Sequence, residues 1–493
     1  MIRMDPQVQD VFKVSGIPTI TFVEPADFTN LRVSLRTRGR GLVIEGPSGI
    51  GKSTAVYRAL EAEGIDPQVT TLSARVPAEV DYIEVLHEID NFGLVIIDDY
   101  HRLPAETRAQ LADLLKVLAD SEDPNRKLVI VGINQAGQSL IHFAPDLANR
   151  IDIIRMEVEQ PDRVEELVAK GEKALNIAIG PRAQIVEAAR GSFYIAQLLS
   201  LQICMDSKIM ERAMTSTPVN SSFTACLRTV MERQERRFGA NVKEFARGPR
   251  FRSAGRAPYL HILKWLRESA NWSISLPDQI ALHPAQRVSV SQVVDKGYLA
   301  SFAGSFTISE LFHFDPLTKV LSIEDPHLAF FVQNLDWPKF VSETGFTNFE
   351  VDKEYDVALS FAGEDRKYAE KLFNYLSDEE FSVFYDFNEG SRMLAENVED
   401  FLRPIYESEA RFVVAVLGAT YGVRRWTVFE SDAFKDRFDK GEVIPIWSSE
   451  VPPSAFDKAR EVGYLEFDPA ADLDSQAKIH AESIARKISQ AIK

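Results

Sequence analysis

Short apolar runs, each closed by a polar or glycine-containing turn and followed by a segment of helical period, recur along both halves of the chain. In the first half Leu42-Val43-Ile44, Leu94-Val95-Ile96-Ile97 and Lys127 to Ile133 read as buried strands. Ala105 to Asp120 carries Leu111, Leu114, Leu115 and Leu118 at helical spacing, and helical patterning resumes from Asp162 to about Met210. From Arg256 to Trp337 the pattern changes. Leu260, Ile262, Leu263 and Leu266, then Val288, Val293, Val294 and Leu299, predict short helices, and Thr307 to Phe314 with Lys319 to Ile323 predict a hairpin. Past a connector, Ser342 to Lys353, strands are predicted at Tyr355 to Phe361, Ser382 to Tyr385, Arg411 to Leu417 and Val443 to Trp447. The first of these leads into a helix with Tyr368, Leu372, Phe373 and Leu376 on one face. Ile479, Ile484, Ile488 and Ile492 predict a terminal helix that closes a face. Strands alternating with helices mean two separate parallel sheets covered on both sides.

At 493 residues the chain exceeds one core, and about three or four domains are expected. Its net charge of −17 disfavours a nucleic-acid grip by bulk positive charge. The basic stretch Arg247 to Arg256 is then expected to be a solvated loop, with a nucleic-acid patch as the alternative. Cys204 and Cys226 are the two cysteines, too few for a disulfide framework and without zinc spacing. Met1 to Gln9 has charge and proline where a signal peptide needs an apolar run, and no stretch approaches a membrane span. A cytoplasmic location follows as the expectation.

Between the strand Leu42-Val43-Ile44 and the next helix stands Gly46-Pro47-Ser48-Gly49-Ile50-Gly51-Lys52-Ser53, the phosphate-loop pattern G-x-x-x-x-G-K-[ST], followed by Thr54. Glycines let backbone N–H groups turn in around phosphate oxygens, and the following helix presents its positive dipole end to the same anion. Lys52 is expected to hold the β- and γ-phosphates, and Ser53 to hold Mg²⁺. Asp98, at the carboxyl end of a parallel strand, would complete the metal site, and Asp99 would polarise the attacking water. Asn134 is a polar tip suited to reporting the γ-phosphate.

These residues resemble the AAA+ and STAND class of P-loop ATPases, with Gly46 to Ser53 as Walker A, Leu94 to Asp99 as Walker B and Asn134 as sensor. The resemblance implies an arginine facing a neighbouring subunit's nucleotide, a place that Arg150 occupies; a plain surface ion pair is the alternative. Gly191-Ser192-Phe193-Tyr194-Ile195-Ala196 stands where AAA+ proteins have a second sensor arginine and looks closer to the STAND Gly-x-Pro turn, with Tyr194 for the proline. That favours a slow switch over a motor. The module after it looks like a winged helix, which in such proteins packs or binds DNA; packing is the expectation here.

The C-terminal stretch resembles the Toll/interleukin-1 receptor (TIR) family. The marks are Asp356 to Ala362 with Glu364-Asp365-Arg366, then Val383-Phe384-Tyr385-Asp386 before the long loop Phe387 to Glu399, and Trp426-Thr427-Val428-Phe429-Glu430, which fits W-x-x-x-E. Leu394 and Ala395 replace the tryptophan and glycine that many members carry in that loop. Active members cleave NAD⁺ between nicotinamide and ribose, which makes Glu430 and Trp426 the catalytic pair and assigns Phe361, Ala362 and Arg366 to NAD⁺ contacts. The expected fold is multidomain α/β: an N-terminal arm (1–30), a P-loop NTPase core (31–160), a helical lid (161–235), a winged-helix-like module with connector (236–345) and a flavodoxin-like TIR domain (350–493). The resemblance further implies ATP and Mg²⁺ as cofactors, NAD⁺ as substrate, homo-oligomerisation through both halves, an unknown trigger or sensor partner, no membrane partner, and a role in antiphage defence. A non-catalytic TIR adaptor, a DNA-acting ATPase and release of a cyclised ADP-ribose stand as alternatives.

Overall fold

The computed structural model describes residues 6–491 apart from 48, 66–68, 133–139, 142, 254–255, 347–352, 387–397, 422–432 and 452–461. The chain is mixed α/β and divides into two compact units. The first comprises Met1–Val242, Trp265–Ser275 and Ala303–Leu335, and the second Lys243–Lys264, Leu276–Phe302 and Asp336–Lys493. The stretch expected to form one winged-helix-like module thus contributes to both.

In the first unit β1 (Gly41–Glu45), β2 (Thr70–Ser73), β3 (Gly93–Asp98), β4 (Arg126–Gly132) and β5 (Ile151–Arg155) form a parallel sheet in the order β2-β3-β4-β1-β5. Side chains alternate across it, as the two-residue period of a strand requires. Val43, Val95, Ile97, Leu128 and Ile130 enter one core with the helix Ala105–Asp120, whose Leu111, Leu114, Leu115 and Leu118 are all buried. Leu42, Ile44, Ile96, Val129 and Val131 enter the opposite core, against the helices Phe28–Arg36 and Lys52–Ala62. This two-sided burial explains why the strands read as continuous apolar runs. Lys127 donates from Nζ to the carbonyls of Ser34, Thr37 and Arg40, each at 2.7 Å, and so covers the C-terminal end of the helix Phe28–Arg36. A cation at that end matches the helix dipole.

The helices Pro161–Leu175, Arg182–Ala189 and Phe193–Asp206 pack into a third core, which also takes Val8, Val11 and Phe12 from the N-terminal arm. Two small strands, β6 (Ile177–Ile179) and β7 (Thr217–Val219), pair beside them. A three-stranded antiparallel sheet, ordered β8-β10-β9, comes from β8 (Ser273–Ser275), β9 (Phe312–Asp315) and β10 (Val320–Ile323). The expected hairpin is therefore shorter than its sequence pattern. Phe306–Ser309 is a helical turn instead, because the register Ile323↔Phe312 uses up β10 and leaves Thr307 to Ser309 no strand to pair with.

In the second unit β11 (Tyr355–Phe361), β12 (Val383–Phe384), β13 (Ala410–Leu417), β14 (Val443–Ser448) and β15 (Leu465–Phe467) form a parallel sheet ordered β12-β11-β13-β14-β15. This is the flavodoxin-like order 2-1-3-4-5. The terminal helix is Leu473–Ala491, but Ile479 does not belong to its buried face. Ala477, Ala481, Ile484 and Ile488 form that face, at offsets of four, three and four, whereas Ile479 is 59% exposed. Five residues separate Ile479 from Ile484, which rotates it off the stripe. Ile492 lies outside the described residues.

The basic stretch is only in part the solvated loop expected: Arg247 and Arg250 are exposed, but Arg252 and Arg256 are packed in. Arg256 is 7% exposed and pairs with Asp356 through Nε at 3.1 Å, while donating to the Lys353 carbonyl at 2.8 Å. Arg252 lies over the Phe381 ring at 3.9 Å and donates to the Glu379 carbonyl. Both arginines serve packing within the second unit. Removing one partner of a buried ion pair strands the other, so Asp356→Ala should destabilise this unit by about 3 kcal/mol. Arg256→Met with Asp356→Leu should cost clearly less. Denaturant titration followed by a probe in residues 355–491 measures both, and equal costs would show that the charges are not coupled.

Candidate functional site

The phosphate loop follows the carboxyl end of β1 and is shaped by its glycines. A Cβ on Gly46 would stand 2.0 Å from the Met156 carbonyl oxygen, and Gly51, at φ +102°, turns the chain into the helix Lys52–Ala62. Lys52 donates from Nζ to the carbonyls of Gly46 at 2.8 Å and Pro47 at 2.7 Å. Burial pulls its pKa down to about 8, against the opposing charges of Asp98 and Asp99. Ser53 Oγ donates to Asp98 Oδ2 at 3.0 Å, so the two expected Mg²⁺ ligands, 45 residues apart in sequence, are brought together.

Around them opens a cavity of about 320 Å³. Gly49, Gly51, Lys52, Ser53, Thr54, Asp98 and Asp99 line its polar part, and Val14, Pro18, Phe22, Val23, Met156 and Phe193 its apolar part. The N-terminal arm therefore walls this cavity, a role no motif announced. Ser192 Oγ, 3.4 Å from the Gly49 carbonyl, links the turn before the helix Phe193–Asp206 to the phosphate loop. Asn134 lies outside the described residues. Arg150 is held by Asp120 at 2.7 Å and Asp146 at 3.0 Å, on the surface and apart from the residues that line this cavity.

Sequence reasoning also missed a charged network behind Asp99. Asp99 has a left-handed backbone, φ 58°, and receives both Nε (2.7 Å) and Nη2 (3.1 Å) of Arg75. Arg75 also donates to Glu324 at 2.9 Å, which further accepts from Arg102 and lies 2.6 Å from His101 Nε2. His101, His313 and Glu324 present ligand atoms within 4.8 Å of one another, but the two arginines and His101 already occupy both Glu324 oxygens. Burial pushes Glu324 up, yet His101 and Arg102 outweigh it and hold the carboxyl far below its usual range. Burial, then the charge of His101, holds His313 down to about 4.

His313 is thus neutral when folded and protonates near 6.5 when unfolded, so the unfolded state binds more protons between these values. Stability is full above pH 6.5 and falls as pH drops towards 4, by about 2 kcal/mol after allowance for screening. His313→Asn should flatten that slope for the first unit. Thermal melts at pH 7, 6, 5 and 4 test it, and identical slopes would exclude His313 as the source.

The second site lies in the second unit, where the strand order reverses between β11 and β13, the position at which open α/β sheets bind ligands. The end of β11 and the loop after it meet the loop after β13: Ser360 Oγ is 2.5 Å from Tyr421 OH, and Thr420 Oγ1 donates to Glu364 at 2.8 Å. Arg366 donates to both oxygens of Asp386, at 3.3 and 3.1 Å, and its guanidinium stands 5.2 Å from the Phe361 ring centroid. Phe361 is 9% exposed and stacks on Tyr385 at 5.6 Å, and Ala362 is buried. Both thus shape the loop from beneath, and of the three expected NAD⁺ contacts Arg366 keeps the most accessible side chain. Trp426 and Glu430 lie outside the described residues, as does the loop 387–397. Burial, then Glu364 and Glu450, pushes Asp365 up to about 6.

Among the described residues no helix is long and apolar enough to cross a membrane. Residues 357–480 match the family model of the TIR domain. The 3′ cyclic ADP-D-ribose synthase AaTIR of Aquimarina amphilecti is 39% identical over 84 residues, 17% of this chain and 26% of that protein, so the chain matches about a quarter of the relative's length. Among solved structures, the Thermotoga maritima RuvB Holliday junction branch migration motor superposes with a TM-score of 0.35 and 13% identity, over 62% of this chain and 96% of that one. The Aeropyrum pernix ORC2 protein does so with a TM-score of 0.35 and 15% identity, over 68% and 98%. A phosphate loop thus opens the first parallel sheet, and the second, with its strands in the order 2-1-3-4-5, is the TIR domain of this chain.

Proposed function

We propose that the TIR domain cleaves NAD⁺ at the nicotinamide–ribose bond and that the N-terminal half is an AAA+ or STAND-type nucleotide switch that governs it. The observation that carries the reading is the W-x-x-x-E pair, Trp426 and Glu430, inside a matched TIR domain whose sheet has its switch point at the loop Ala362 to Arg366. The leaving group is a cationic pyridinium that takes the bonding pair and departs as neutral nicotinamide. It needs no proton donor. The ribosyl carbon left behind has oxocarbenium character, which a carboxylate stabilises. Glu430 has that role, Trp426 lines the site, and Arg366 meets the phosphates.

The donor set of the first unit fits a Mg²⁺-nucleotide. Lys52 is a part-buried ammonium whose partners among the described residues are the Gly46 and Pro47 carbonyls, and Ser53 and Asp98 are adjacent oxygen donors. Bound Mg²⁺ would neutralise phosphate charge, with Ser53 and Asp98 holding it and Gly46, Gly49, Gly51, Lys52 and Thr54 cradling the phosphates. Arg75 keeps Asp99 in an ion pair, which suits a switch that rests rather than a motor that turns over. Nucleotide and a trigger drive assembly, Arg150 faces a neighbouring copy, TIR domains pair, and NAD⁺ is consumed in a cell under infection.

The relative's name favours a second product. Attack by water releases ADP-ribose, whereas attack by a hydroxyl of the same molecule closes a cyclic ADP-ribose. Chromatography with mass detection of the products of the full chain, clustered at high concentration with ATP and Mg²⁺, decides between them. Intact NAD⁺ under those conditions would return the TIR domain to an adaptor role.

A further inference from the structure

We propose that Asp365 is the base that takes the proton from the nucleophile attacking the ribosyl carbon, a step separate from the oxocarbenium stabilisation assigned to Glu430. The inference rests on the NAD⁺-cleaving reading and adds a residue to the same site. Asp365 follows β11 by four positions, at the switch point. Its carboxyl reaches across to the chain leaving β13, so closely that a Cβ on Gly418 would stand 1.9 Å from Oδ2. A glycine there makes the room that the carboxyl fills. Oδ2 has no hydrogen-bond partner among the described residues, although its own loop and the facing one are otherwise bonded: Glu364 to Thr420, Arg366 to Asp386, Ser360 to Tyr421. Of the carboxylates at this edge, Glu364 and Asp386 are paired, and Asp365 presents a buried oxygen that no described residue satisfies. Such an oxygen in a native site needs a reason.

The chemistry supplies one. Once the glycosidic bond breaks and its electron pair leaves with nicotinamide, an oxygen nucleophile adds at C1′ and must lose its proton. That proton passes to the Asp365 carboxyl, whose residue is only partly buried, and then to solvent, and the products are ADP-ribose or its cyclic form, nicotinamide and one proton. The groups facing Asp365 are Glu364 on its own loop, Glu450 after β14, Arg366 turned towards Asp386, and Gly418 after β13. Burial first, and then the two negative neighbours, make the carboxyl bind protons more readily than an ordinary aspartate, so it works as a base close to neutral pH.

The test separates nucleophiles that carry a proton from those that do not. A pyridine attacks through its ring-nitrogen lone pair and needs no base, so exchange of nicotinamide for 3-acetylpyridine bypasses Asp365. In the clustered full chain, Asp365→Asn should lower formation of ADP-ribose or its cyclic form by about 10²-fold while base exchange stays within about threefold of wild type. The acidic limb of the wild-type pH profile, near pH 6, should disappear with it. Glu430→Ala should lose both reactions. Equal loss of both in Asp365→Asn, or loss of neither, overturns the assignment of Asp365 and leaves the enzyme reading standing. A wild type that shows neither reaction overturns the enzyme reading, and this inference with it.

Discussion

Glu430→Ala should lower NAD⁺ cleavage by about 10²–10³-fold, the usual effect of removing one preorganised electrostatic stabiliser of a transition state. The expectation follows from the leaving group. Most glycosidases need two carboxyls, one to protonate a poor leaving oxygen and one to stabilise or attack the sugar. Pyridinium carries its own positive charge, which makes the first unnecessary and concentrates the demand on the second. Trp426 stands four residues before Glu430, at helical spacing in the sequence, so Trp426→Ala should raise KM more than it lowers kcat. NAD⁺ loss by the full chain at high concentration, with and without ATP and Mg²⁺, reads both variants against wild type. Turnover in Glu430→Ala equal to wild type would end the assignment. A wild type that stays silent even when clustered would favour the adaptor.

The parts of this architecture that the sequence disclosed are those whose signal is local. β1, β3 and β4 are flanked by strands on both sides and covered on both faces, so each needs an apolar run that stands out against its turns. β2 and β15 escaped because edge strands are short and half polar: Thr70 and Thr71 are exposed, as is Glu466. The phosphate loop was legible for the same reason as the central strands, since one turn holds eight consecutive residues. Its functional surroundings were not. Arg75 meets Asp99 across 24 positions and Glu324 across 249, and no spacing rule links residues that only the fold brings together. Glu324-Asp325-Pro326 does carry a signal, an N-cap with proline in the first turn, and Asp325 caps the helix Pro326–Gln333. That pattern places a helix start but says nothing of the arginines waiting there. Asp365 shows the same limit, since its sequence neighbours mark a TIR box while its unpartnered oxygen depends on Gly418, 53 positions on.

Lys52→Ala should weaken ATP binding by about 10²–10³-fold and, in the same protein, leave the nucleotide-free form no less stable. The two effects have one cause. Without nucleotide, the Lys52 ammonium is bonded, among the described residues, to the Gly46 and Pro47 carbonyls, and burial has brought its pKa from the usual lysine value down to about 8. The folded state therefore holds this charge at a cost at pH 7. A shift of that size corresponds to about 3 kcal/mol, and partial solvent access reduces it to about 2 kcal/mol. The sign follows from linkage: between about pH 8 and the unfolded lysine value the unfolded chain binds more protons, so stability of the free protein rises with pH over that window. Alanine removes both the cost and the slope. A phosphate reverses the balance, because each charge-assisted hydrogen bond contributes about 1.5–3 kcal/mol, and alanine forfeits them. Calorimetric titration with ATP and Mg²⁺, paired with melts of the free proteins from pH 7 to 10, separates the terms. ATP binding as tight as wild type would remove Lys52 from the phosphate site. A free variant much less stable than wild type would mean that the lysine braces the loop rather than waiting for an anion.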